Sequence, residues 1–81
     1  MFQMFDYKFY KITYRFDINY WEIGVEETCT PDELNTIIKT DVDCSVVLER
    51  LDVVSAFSWG HTILRDYLKR VEENNNNNEI N

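Results

Sequence analysis

Apolar and polar residues alternate from Tyr10 to Ile18. Tyr10, Ile12, Tyr14, Phe16 and Ile18 fall on one face, and Lys11, Thr13, Arg15 and Asp17 on the other. That period of two predicts a strand with one buried face, because successive side chains leave a strand on opposite sides. Upstream the phase changes, with Phe5, Tyr7 and Phe9 at odd positions. Either a bulge shifts the phase or both faces are covered there. A second alternation sets Trp21, Ile23 and Val25 against Glu22, Gly24 and Glu26. Asp17 and Asn19 between the two runs are turn formers, so the strands read as an antiparallel hairpin.

Thr30-Pro31-Asp32-Glu33 is the strongest local signal. Threonine caps a helix, proline suits its first position, and Glu33 is placed to close a capping box. Leu34, Ile37 and Ile38 follow at helical spacing, which predicts a short helix over 31–40. The run 46–57 fits either period, and its four valines in nine residues favour a strand. Ile63, Leu64, Tyr67, Leu68 and Val71 form the apolar stripe of a second helix over 60–73. Asn74 to Asn78 is a homopolymeric run that, with Glu79 to Asn81, reads as a disordered tail.

The expected fold class is α+β, a small β-β-α-β-α domain over 1–73 with the tail at 74–81. Its strands are expected at about 5–17, 20–28 and 46–57. After the hairpin, the first helix returns the chain, so the third strand runs parallel to the second. It then lies beside the first, giving a three-stranded sheet of order 2-1-3 packed with two helices. The expected core is Tyr10, Ile12, Tyr14, Phe16, Trp21, Ile23, Leu34, Ile37, Ile38, Leu64 and Leu68.

Composition bears on whether such a core can form. A domain of 81 residues buries roughly 60% of its unfolded surface. Twelve aromatic rings supply the apolar area that this requires. No apolar run approaches the roughly 20 residues needed to span a bilayer, and the first ten residues contain Asp6 and Lys8 rather than a leader pattern.

Charge narrows the function. Asp17 to Asp52 carries ten acids and two bases, whereas residues 1–16 carry three bases and one acid. The chain as a whole is at −7. A polarised surface of this kind steers association with oppositely charged partners. Direct nucleic-acid binding is disfavoured, since eight bases face fifteen acids and a binder must neutralise phosphates.

Candidate chemistry is sparse. His61 is the only histidine and reads as a surface or helix-start residue. Two cysteines, Cys29 and Cys44, do not make a disulfide framework and read as reduced thiols of a cytoplasmic protein. Cys29 precedes the expected helix cap, where a thiolate would gain some stabilisation. Neither Glu26-Glu27 nor Asp41-x-Asp43 has the ligand spacing of a calcium loop. No catalytic residue, metal site or cofactor is expected.

Small size, acidic charge, a sheet-and-helix fold and the lack of a catalytic motif are similar in type to phage or mobile-element accessory proteins. Inhibitors of host-defence nucleases, such as anti-CRISPR proteins, are among them. That likeness implies a non-catalytic inhibitor of a nucleic-acid-processing enzyme. Its candidate phosphate-mimicking face is Glu22, Glu26, Glu27, Asp32, Glu33, Asp41 and Asp43, and the expected partner is a protein with a basic surface. The alternative is a small structural or assembly subunit that self-associates through a sheet edge. Salt separates the two, since only the acidic inhibitor loses its partner as salt rises.

Overall fold

The computed structural model describes the backbone of residues 7–80 and the side chains of residues 7–73. Among the described residues, four strands and one α-helix follow in chain order: β1 (Lys8–Arg15), β2 (Tyr20–Val25), β3 (Ile37–Lys39), β4 (Asp43–Arg50) and α1 (Val53–Ile80). The fold is α+β, with a four-stranded antiparallel sheet of order β2-β1-β4-β3 and a single long C-terminal helix. The β1–β2 hairpin forms where alternation places it. Its turn spans residues 16–19 and closes on Asn19, whose φ of 52° lies in the left-handed region that asparagine tolerates. The Tyr14 hydroxyl donates to the Asn19 side-chain carbonyl across that turn.

The expected helix over 31–40 does not form. Pro31–Glu33 makes one turn of 3-10 helix, and Thr30 makes no side-chain capping bond. Asn35 then turns left-handed, with φ 61°. Thr36, Ile37 and Ile38 are β-branched and favour extended backbone. The chain therefore continues as the short edge strand β3, where Ile38 is 58% exposed rather than in the core.

The expected strand over 46–57 divides in two. Its first part belongs to β4, and its second part is helix from Val53. Asp52 marks the switch. Its carboxylate accepts the Ser55 N–H at 2.7 Å and its carbonyl accepts the Ala56 N–H at 3.1 Å, as a helix cap does. So α1 begins well before 60. The order 2-1-3 and the count of two helices give way to 2-1-4-3 with one helix. Where a disordered tail over 74–81 is expected, the backbone continues as α1 to Ile80, and no side chain beyond Glu73 is described.

One face of the sheet is covered. Tyr10 and Ile12 of β1 stand opposite Leu48 and Val46 of β4, and Ala56 and Leu64 of α1 close over them. Gly60 sits between those two helix residues, one turn from each. A Cβ built there would lie 2.6 Å from Ile12 Cγ1, so the glycine lets the helix backbone rest on β1. Trp21, Phe57 and His61 close the β2 side of this core, with the Trp21 and His61 rings 4.2 Å apart. Among the described residues, no helix is long and apolar enough to cross a membrane.

Candidate functional site

Among the described residues, no α-helix lies on the second face of the sheet. Period-two alternation sends Lys11, Thr13 and Arg15 of β1 to this side, between Gly24, Glu22 and Tyr20 of β2 and Val47, Ser45 and Asp43 of β4. The basic strand and its acidic neighbours therefore share one surface. Charges separated along the chain become interleaved, because the two neighbours that pair with β1 both come from the acidic block. Arg15 is the clearest case. It pairs with Asp17 at 2.8 Å and also feels Glu22 and Asp43. The hydrogen bond from Arg15 holds the Asp17 carboxyl below the usual carboxylate range.

The seven candidate acids divide by position. Glu22, Glu26 and Asp43 line one shallow groove of about 360 Å3 with Lys11, Thr13 and Arg15. Glu26 is half-buried, and its N–H extends the hairpin ladder to the Phe9 carbonyl at 2.8 Å. The Thr28 hydroxyl donates to the Glu26 carboxylate at 2.7 Å, which lowers its pKa, and Lys11 adds to the effect. Asp43 accepts the Thr40 hydroxyl at 2.8 Å and so also braces the β3–β4 turn.

Glu33 belongs to a second group. It joins Glu26 and Glu49 around the buried Cys29 thiol. Burial first, and then these carboxylates, push the Cys29 pKa up. The expected stabilisation of a Cys29 thiolate is thereby reversed, since only a single 3-10 turn starts there and the local field is negative. Cys44, on the covered face, is also raised by burial, and both thiols are free. Glu27 lines a separate hollow of about 410 Å3 with Tyr7, Lys8 and Phe9. Asp32 is exposed on the 3-10 turn, and Asp41 is exposed at the tip of the β3–β4 turn, apart from the groove.

Glu49 escaped the sequence reading. Its signal was the period of β4, which puts Asp43, Ser45, Val47 and Glu49 on one face once that segment is read as a strand. The open face and the loop leaving β2 together hold seven acids (Glu22, Glu26, Glu27, Asp32, Glu33, Asp43, Glu49) against Lys11 and Arg15. By contrast, residues 53–73 of α1 hold three acids and three bases, with Asp66 and Arg70 paired one turn apart at 3.2 Å.

A further cleft of about 580 Å3 lies where α1 passes the hairpin, lined by Tyr14, Trp21, His61, Arg65 and Lys69 among others. His61 is stacked in mid-helix rather than placed at a helix start. Among the described residues, no group of three histidine, cysteine or acidic side chains is arranged to hold a metal ion. Comparison with known proteins finds no matching family model, no matching curated protein and no matching solved structure.

Proposed function

We propose that this protein is a non-catalytic acidic binding protein that occupies the basic surface of a protein partner in the cytoplasm. In its concrete form it inhibits a nucleic-acid-processing enzyme, such as a phage-encountered defence nuclease. Its carboxylates stand where the enzyme's basic groove would hold phosphates. The observation that supports this reading is the open sheet face together with the loop leaving β2, which hold seven acids against two bases. The outer carboxylates of this side are available for contact, and their charge raises the rate of encounter with a basic groove. Glu22, Glu27, Asp32 and Glu33 are exposed and form the contact set. Glu26 and Asp43 hold the surrounding backbone turns, and Asp41 lies apart from them.

The test is DNA cleavage by a panel of RNA-guided nucleases, titrated with this protein at low and at high salt. Inhibition is expected to weaken as salt rises, because screening shortens the reach of the acidic face. A variant with Glu22, Glu27, Asp32 and Glu33 changed to lysine is expected to lose inhibition and keep its thermal midpoint. A variant with Glu72 and Glu73 changed to lysine is expected to keep both. Equal inhibition by parent and the four-site variant, or inhibition of no nuclease in the panel, refutes the reading.

A further inference from the structure

Among the described residues, the outer edge of β2 has no neighbouring strand. The Glu26 N–H donates to the Phe9 carbonyl. In an antiparallel pair, alternate residues bond to the neighbour. Gly24, Glu22 and Tyr20 therefore bond to β1, while Trp21, Ile23 and Val25 direct their N–H and C=O groups outward. β2 ends the sheet order, and no described backbone group meets these three from outside. Proteins blunt such edges with lysine, proline, bulges or very short strands. The opposite edge, β3, has three residues and Lys39. β2 has six residues, no proline, no lysine and one charge, Glu22. Val25 is 57% exposed on the helix side of this edge.

The strand is also complementary to itself. With a two-fold axis at Ile23, Trp21 stands opposite Val25 of the second copy, Glu22 opposite Gly24, and Tyr20 opposite Glu26. The outward groups then form three hydrogen-bonded pairs of two bonds each. On the helix side, every opposed pair is apolar. On the open side, no acid stands directly opposite an acid. Moving the axis to Glu22 sets Glu22 against itself, and moving it to Gly24 sets Glu22 against Glu26, both destabilising. An axis at Trp21 or Val25 shortens the overlap. A Cβ added at Gly24 would meet nothing within 4 Å, so there is room for the Glu22 side chain of the second copy.

We infer that two copies of this chain join edge to edge through β2 in that register, forming one continuous eight-stranded sheet. The axis is perpendicular to the sheet. Both helices then lie on one side, and the two open acidic faces lie side by side on the other. This dimer does not depend on the proposed inhibitory role, and its test reads association alone.

The test is sedimentation of the full chain from about 1 μM to about 1 mM, with amide hydrogen exchange at both ends of that range. Dimerisation is expected, with concentration-dependent protection of the Trp21, Ile23 and Val25 amides and no such change at Ile37 or Lys39. Val25→Pro removes an outward donor and leaves the β1–β2 ladder intact. It is expected to raise the dimer dissociation constant at least about tenfold, since two intermolecular bonds are lost. Gly24→Lys puts a base opposite Glu22 of the second copy and is expected to tighten the dimer. Gly24→Glu is expected to loosen it, each by about two- to tenfold. Should Val25→Pro abolish cooperative melting, the Gly24 pair decides. A monomer at every concentration leaves the edge for a strand of some other protein and overturns the inference. So does a dimer without protection at β2, or one that both Gly24 variants shift in the same direction.

Discussion

The two faces of the sheet are made from the same strands and differ in almost every other respect. On the covered face, Tyr10, Ile12, Cys44, Val46 and Leu48 are buried against Ala56 and Leu64. On the open face, Lys11 and Glu22 are exposed, and Arg15, Glu26 and Asp43 are half-buried. The covered face is held by close packing, where each lost methylene is felt. The open face is held by short polar contacts in water, which contribute little each. β4 is the exception that links them, since Cys44, Ser45, Val46, Val47 and Leu48 are buried in succession. Interior position does not explain this, since β1 is interior too and alternates; Val47 is instead met by the segment leading to β3, through the Leu34 bridge and the Asn35 N–H. One side of this protein therefore carries its stability, and the other is free to carry charge.

Substitutions can break or sharpen that contrast. Ile12 has no exposed surface, so Ile12→Ala is expected to cost about 2–5 kcal/mol in urea denaturation. A loss below about 1 kcal/mol would mean that the covered face is not the core. Gly60→Ala is expected to cost about 1–3 kcal/mol through the clash with Ile12, less what alanine returns as a better helix former. Combining it with Ile12→Ala is expected to cost less than the two effects added, because loss of Cγ1 and Cδ1 makes room.

The thiols offer a pH test. Burial raises the pKa of both Cys29 and Cys44, so the folded state favours the protonated thiol. Their contribution is fully present below the unfolded thiol's pKa, about 8.5, and is lost as pH rises through the folded value. The urea midpoint is therefore expected to fall above about pH 8.5. Cys44→Ala is expected to flatten that decline, and an unchanged slope would show that Cys44 titrates normally. The smallest effect belongs to the open face, where Lys11→Ala is expected to change stability by less than about 0.5 kcal/mol. A larger loss would mean that the interleaved charges matter to the fold after all.

The hairpin was legible in the sequence because alternation and turn residues agree there. The segment after it was not. The Thr30 to Glu33 signal is real but local, and it produces a single 3-10 turn before Asn35 and the β-branched run Thr36-Ile37-Ile38 take the chain to strand. The switch from β4 to α1 had a signal that valine density masked. Asp52 stands three residues before Ser55, and Ala56, Gly60 and Leu64 follow at intervals of four. The acidity of the candidate site was legible from composition, and its layout was not. Asp43 meets Arg15 only through the β1–β4 register, and pairing between distant strands leaves no local trace.

That same pairing governs how the molecule assembles in time. β1 gains its first neighbour across a tight turn, but its second arrives only when β4 returns to set Arg50 beside Lys8. Such closures between distant parts of the chain are slow relative to local ones. The lid over the core comes later still, because Leu64 follows the whole sheet in the chain. During synthesis the apolar side of the sheet waits uncovered until α1 is free, which is the interval in which small β-rich chains associate wrongly. A fragment ending at Trp59 is therefore expected to be cut rapidly in limited proteolysis, and a fragment ending at Glu73 to resist.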